Sequence, residues 1–211
     1  MNILVLAPHP DDETIGCGGS LILAAAARAE IRVVYLTSGE LGLKGQSREL
    51  AWKTREEEAR RAAAILGLSS LHFLRLPDWG VQEHLREAAS LLTPFLEQNP
   101  PQTIYLPHPD DAHPDHQACW PALQRALRNL PRRPLEIRAY EIWSPLPRVD
   151  DAVDITPVMP KKMRALRAHR SQLTEFNYEQ ALRGLNLYRG ALHGKCRYAE
   201  VFMDLSDGSP A

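Results

Sequence analysis

The stretch NILVLAPHPDDETIGCGG, residues 2–19, decides how the chain is read. NILVLA (2–7) is a short unbroken apolar run, the pattern of a strand covered on both faces of a sheet. A loop holding His9, Asp11, Asp12 and Glu13 follows at once. TIGCGGSLILAAAARAE then reads as a helix whose Leu21, Ala24, Ala25 and Ala29 can lie against that sheet. Strand, acidic loop and helix open an α/β unit, and in such sheets ligands gather beyond the carboxyl ends of the strands. A dinucleotide reading of GCGG fails. It lacks G-x-G-x-x-G, and carboxylates stand where a pyrophosphate would sit.

The alternation continues outward. IRVVYLT (31–37), LHFLRL (71–76), QTIYLP (102–107), LEIRAYEIW (135–143) and AEVFMDL (199–205) read as strands. Helices are expected over 48–67, 82–98, 113–129 and 161–176. In the first of these Leu50, Thr54, Ala62, Ile65 and Leu66 supply apolar contacts, and Gly67 is placed as the C-cap. The Pro-rich stretch 144–160 reads as a loop around a short DAVDI segment. Together these predict a three-layer, Rossmann-like α/β fold, a mostly parallel sheet with helices on both faces, in a single domain over residues 1–211.

Composition narrows the function classes. The chain has 211 residues, enough for one sizeable core, and a formal net charge of −1 with both signs interspersed. That balance offers no field for nucleic acid or an anionic membrane. Cys17, Cys119 and Cys196 are odd in number and show no paired spacing, so they read as buried thiols in a reducing compartment. No run approaches the roughly 20 apolar residues of a membrane span, and no basic flank precedes the first apolar run as in a secretory signal. A cytoplasmic protein is expected.

A second cluster, YLPHPDDAHPDHQA (105–118), falls beyond the fourth strand, so both clusters lie at one sheet edge. A catalytic zinc takes three His, Asp or Glu ligands and keeps a position open. His9 and Asp12, three apart, can be aimed at one point by a tight turn, and His116 can supply the third ligand. Pro114 suits the first turn of a helix, which makes His113 its N-cap and puts Asp115 and His116 just inside. Asp11 and His113 remain for removing a proton from water and for stabilising an oxyanion or protonating a leaving group. Two histidines and a carboxylate also suit Fe2+. The bland alternative is that each string is only a polar helix cap; two such strings at one sheet edge weigh against it.

Other residues carry two readings. Arg55 is a solvated ion pair or an anchor for substrate or the site loop, and Glu58 is expected to pair with it. Asp78 follows the third strand, at the active edge. Trp79 reads as a core aromatic, with sugar stacking as the alternative. Lys161, Lys162, Arg164, Arg167 and Arg170 look like a solvated helix surface. His169 is either packed or facing the site.

PHPDDE after the first strand, paired with HPDH in the second half, resembles the LmbE-like, or PIG-L-type, family of metal-dependent N-deacetylases. LTSGELG, TREEEARRAAAILG with Arg55 and Glu58, LPDWG with Asp78, KMRALRAHRSQ and AEVF extend the likeness along nearly the whole chain. The resemblance implies zinc bound by His9, Asp12 and His116, with Asp11 as the general base toward water on the zinc. It implies His113 as oxyanion stabiliser and Asp115 as the group orienting a histidine, with Arg55 and Asp78 binding substrate. The implied substrate is a small N-acetylglucosaminyl molecule, GlcNAc-malate of bacillithiol biosynthesis being favoured. GlcNAc, chito-oligosaccharides or the amide of a thiol conjugate are the alternatives. A homo-oligomer, hexamers included, is implied as well. On this pattern His108-Pro109-Asp110-Asp111 is an extra near-copy whose carboxylates line the pocket or hold His113. A non-hydrolytic sugar-binding metalloprotein and a two-metal phosphoesterase are the competing classes. The first leaves Asp11 and His113 idle, and the second needs more ligands.

Overall fold

Along β1 (Asn2–Ala7) the side chains divide by parity, as a strand's period of two requires. Ile3, Val5 and Ala7 join one apolar layer, and Leu4 and Leu6 join the other. The computed structural model describes residues 1–128, 130, 134–174 and 176–206. β2 (Glu30–Tyr35) and β4 (Thr103–Pro107) pair with β1 in parallel on its two sides, with Ile3 opposite both Ile31 and Thr103. β3 (Ser70–Phe73) extends the sheet beyond β2, and β5 (Glu136–Tyr140) extends it beyond β4, again in parallel. β7 (Ala199–Asp204) then runs antiparallel to β5, and β6 (Asp151–Asp154) antiparallel to β7. The order is β3-β2-β1-β4-β5-β7-β6, so the fold is a mostly parallel, Rossmann-like α/β sheet.

Helices cover both faces. α1 (Asp12–Ala26) and α2 (Arg48–Leu66) bring Cys17, Leu21 and Ala59 onto the Ile3–Val5–Val33 face. α3 (Leu85–Glu97) and α4 (Pro114–Leu127) bring Leu92, Leu96, Ala118 and Leu123 onto the Leu4–Leu6–Ile104 face. α1 approaches β5 closely because residue 16 is glycine; a Cβ there would run into the Tyr140 ring. Connections from β1 leave to β2 on one side, and β4 lies on the other. The switch point therefore falls between β1 and β4, where both acidic loops emerge.

Several expectations are corrected. The strand expected over 71–76 is shorter, and DAVDI contributes β6 rather than lying in a loop. The helix expected over 161–176 is α5 (Met159–Leu166), which ends well before Phe176, and a further helix, α6 (Tyr178–Arg189), follows. The expected end of α4 at Asn129, and the last residues of the 1–211 domain, lie outside the described residues. Leu50 is exposed, whereas Ala62 and Leu66 pack as expected, joined by Ala51, Ala59 and Ala63. Lys162 is not solvated. Its ammonium is fully buried against Glu200 at 2.6 Å, the Ile15 carbonyl at 2.8 Å and Asn186 Oδ1 at 3.1 Å. Glu200 also accepts from Gly19 N, Ser20 N and Ser20 Oγ, so one carboxylate ties α1 and α5 to β7. No described helix is long and apolar enough to cross a membrane.

Candidate metal centre

β1 ends at Ala7 and α1 begins at Asp12, so four residues turn the chain at the sheet edge. Asp12 closes this turn: its Oδ2 accepts from His9 N at 2.9 Å and lies 3.1 Å from His9 Nδ1. Asp11, the cap residue of α1, takes φ 150 and ψ −25, a backbone an L-residue adopts at a steric cost of about 1–3 kcal/mol. Its carboxylate lies 3.2 Å from Arg55 Nη2. Arg55 also donates from Nη2 to the Pro10 carbonyl at 3.0 Å and from Nη1 to the Gly39 carbonyl at 2.9 Å, which joins the two strand-end loops. Residue 39 takes φ +63, and a side chain there would strike the guanidinium, so glycine is required. Arg55 therefore pairs with Asp11, not with Glu58, which accepts from Ser171 N and Oγ instead.

The second cluster is built the same way from β4 and α4. His113 is the N-cap of α4, and its Nδ1 accepts from Asp115 N at 3.2 Å. An Nδ1 that accepts leaves the ring proton on Nε2, so His113 offers a donor. His116 Nδ1 lies 2.9 Å from Asp111 Oδ1, an arrangement that puts its proton on that side. His116 Nε2 then carries a lone pair. It is buried, has no hydrogen-bond partner among the described residues, and lies 3.5 Å from Asp12 Oδ2. His9 Nε2 faces Asp78 Oδ1 at 3.1 Å and Asp115 Oδ2 at 3.2 Å, which leaves Nδ1 as its basic nitrogen.

Asp12 Oδ2 thus sits between the basic nitrogens of His9 and His116. Ligand atoms of His9, His113 and His116 also come within 4.8 Å of one another, as do those of His9, Asp78 and Asp115. The donor set suits a divalent cation, and the orphaned His116 Nε2 is the buried polar atom such an ion would satisfy. The same carboxylates and rings shape the electrostatics of the cluster. Burial opposes charge on His9, yet Asp115, Asp12 and Asp78 push its imidazole well above the ordinary value. Burial pushes the Asp12 carboxyl up, but His116 and His9 hold it well below the usual range. Asp11 is pushed up to about 7 by burial, against the pull of Arg55. His113 is pushed down to about 4 by burial, with His9 and His116 adding to the shift, so its ring stays neutral.

The structure brings all eight predicted site residues to one edge. One oxygen of Asp78 serves the loop: its Oδ2 accepts from Leu41 N at 2.9 Å, tying the 38–47 loop to the centre, while Oδ1 faces His9. Asp115 likewise accepts from Trp79 N at 2.8 Å and Val81 N at 3.1 Å while its Oδ2 faces His9. Trp79 is 57% exposed, not in the core, and its ring lies 4.4 Å from that of His113. His169 is buried, with Nε2 3.5 Å from Thr14 Oγ1. Asp110 is exposed, whereas Asp111 is fully buried, and Asp111 is the residue whose reach the sequence understated. Its Oδ1 accepts from His113 N and faces His116; its Oδ2 accepts from Trp143 N and Ser144 N. Its position just before an N-cap was the one available signal. Trp143 and Phe176, which complete the aromatic rim, gave none. The cavity over the centre measures about 240 Å³, and Trp79, Trp143, Lys44 and Phe176 join its wall.

Residues 4–127 match the family model PIG-L: GlcNAc-PI de-N-acetylase. The chain is 31% identical to diacetylchitobiose deacetylase of Thermococcus kodakarensis over 94% of its own length and 80% of the relative's. It is 32% identical to a probable N-acetyl-alpha-D-glucosaminyl L-malate deacetylase 2 of Bacillus subtilis, over 81% of this chain and 83% of that one. The structure of N,N'-diacetylchitobiose deacetylase from Pyrococcus horikoshii superposes with a TM-score of 0.85 at 27% identity, covering 97% of this chain and 84% of that one.

Proposed function

The chain belongs to the PIG-L/LmbE-like deacetylase family, and from that premise we propose that it is a metal-dependent hydrolase removing acetyl from a small N-acetylglucosaminyl compound. The observation that carries the reading is that Asp12 Oδ2 lies 3.1 Å from His9 Nδ1 and 3.5 Å from His116 Nε2, with the His113 ring stacked on that of His116 and Asp11 lining the same cavity. In this reading His9 Nδ1, Asp12 and His116 Nε2 hold the cation, zinc in the first instance and Fe2+ as the alternative. Such an ion, when bound, polarises an amide carbonyl and acidifies water.

The chain's own residues do the rest. Asp11, kept in place by Arg55, takes the proton of the attacking water and returns it to the departing nitrogen. His113 Nε2–H donates to the carbonyl oxygen as negative charge develops there. Asp115 and Asp111 hold His9 and His116 in the tautomers that present a lone pair. The C–N bond breaks, and acetate and a free amino sugar leave. Arg55 acts through Asp11, and Asp78 through the 38–47 loop, rather than by holding substrate hydroxyls.

GlcNAc-malate remains a substrate to test, because relatives bearing that name align along most of the chain. A second reading, diacetylchitobiose, is favoured by the cavity wall. Its cationic lining residues are Lys44 and Arg55, and Arg55 is engaged with Asp11, which suits a neutral aglycone better than a dicarboxylate. We place the protein in the cytoplasm as a homo-oligomer, with hexamers included; exposed Leu187, Tyr188 and Leu192 support self-association, and sedimentation would read the number. The central test is metal counting, then release of primary amine from GlcNAc-malate, GlcNAc and diacetylchitobiose before and after chelation. One ion per chain is expected, with turnover lost on chelation and restored by Zn2+ or Fe2+. Turnover indifferent to metal removal would end the proposal.

A further inference from the structure

A second cavity of about 330 Å³ opens beside the first, and Ile15, Trp143, Phe176 and Tyr178 line both. Beyond that shared rim its wall is Ile142, Pro145 and the first two turns of α6, where Ala181, Leu182 and Leu185 face it. No described lining residue carries a charge. A pyranose buried there would leave most of its hydroxyls without partners, at a cost its carbon surface cannot offset. A hydrocarbon loses nothing by entering. The size is that of a small-ligand pocket, larger than an acetyl methyl requires.

Resting on the deacetylase reading above, we infer that the site also takes amino-sugar amides beyond GlcNAc-malate and diacetylchitobiose, ones that carry an apolar arm, alkyl or aryl, which lies in the Ile142–Trp143–Phe176–Leu182 cleft while the scissile amide sits over the His9–His116 centre. The cleft takes this arm rather than a separate ligand because Ile15, Trp143, Phe176 and Tyr178 line both cavities, so a ligand seated in one lies against the wall of the other. The arm belongs either to the aglycone of the amino sugar or to a longer acyl group in place of acetyl; both present the same chemistry to the wall.

Two series separate these sources. Methyl, butyl and octyl glycosides of GlcNAc vary the aglycone; N-acetyl, N-butyryl and N-octanoyl glucosamine vary the acyl group. In one series kcat/KM should climb by about threefold to fourfold for each methylene buried, until the cleft is full. Ala181→Trp, at an exposed helix position on the cleft wall, should flatten that climb. Turnover that is robust and equal along both series would overturn the inference and leave the deacetylase reading standing, as would a climb that Ala181→Trp does not change. If no compound is turned over, the deacetylase reading fails. The cleft is then judged by calorimetry: tighter binding of octyl than of methyl GlcNAc, with a negative heat-capacity change, supports it, and equal or absent binding refutes it.

Discussion

Asp111→Asn changes one atom of a fully buried carboxylate that serves four donors, so its cost can be worked out in advance. Oδ1 faces His113 N at 3.0 Å and His116 Nδ1 at 2.9 Å; Oδ2 faces Trp143 N and Ser144 N, both at 3.0 Å. An amide keeps one oxygen. Turned one way, its NH2 meets the Trp143 and Ser144 N–H groups; turned the other, it meets the His113 N–H and displaces the proton from His116 Nδ1, so two bonds to the carboxylate are lost either way. Losing two bonds to a charged acceptor, at about 1.5–3 kcal/mol each, removes about 3–6 kcal/mol of stability. For a chain of this size that lowers the melting temperature by about 6–24 °C. The loss should persist in chelator, because none of the four donors depends on an ion. With the NH2 on that side His116 also loses the group that fixes its tautomer, and metal affinity should fall about 10–100-fold. Calorimetric melting with and without chelator reads the first effect, and competition against a chromophoric chelator reads the second. A variant that melts with the parent in both conditions would refute the claim that this carboxylate braces the second loop.

Three further outcomes are expected. Asp11→Asn should lower kcat by about 10²–10⁴-fold while the protein still melts cooperatively and binds metal; full activity would remove Asp11 from proton transfer. Lys162→Met leaves the buried Glu200 carboxylate without its ammonium, which should cost about 3–5 kcal/mol in urea unfolding, and adding Glu200→Gln should recover part of it. An unchanged midpoint for Lys162→Met would refute the pinning role. Glu56 supplies a pH effect remote from the centre. Burial raises its pKa, but hydrogen bonds from Arg75 and Ser38 outweigh burial and hold it below the ordinary value. A carboxyl lowered on folding stabilises above its unfolded pKa and loses that contribution as pH falls through the folded one. The stability deficit of Glu56→Gln should therefore be present at neutral pH and shrink in acid; a pH-independent deficit would contradict this.

Much of the fold was legible because its signals are local. Continuous apolar runs mark buried parallel strands, Gly67 stops α2 at φ +90, and Pro114 with His113 starts α4 where expected. α6 escaped notice because the charged KKMRALRAHR stretch absorbed the helical reading upstream of it. β6 escaped because four residues in a Pro-rich stretch carry too little pattern, and its pairing with β7 is long-range. Lys162 looked like surface because its partners, Glu200 and Asn186, lie 38 and 24 residues away.

By itself the sequence supplied the residues from which a class of chemistry is proposed. Two acidic-histidine loops at the ends of the first and fourth strands must lie at one sheet edge once those strands run parallel, and His, Asp and His are the donors a hydrolytic metal needs. Only the tertiary structure decided which neighbour each donor faces. Which ring nitrogen holds the proton depends on carboxylates brought in from other loops: Asp115 from α4 for His9, and Asp111 from the loop before α4 for His116. The fold also decided that Arg55 serves Asp11, that Trp79 stands in solvent, and that α6 walls an apolar cleft beside the centre. Residue types set what groups can do; distances across the fold set which of those things they are free to do.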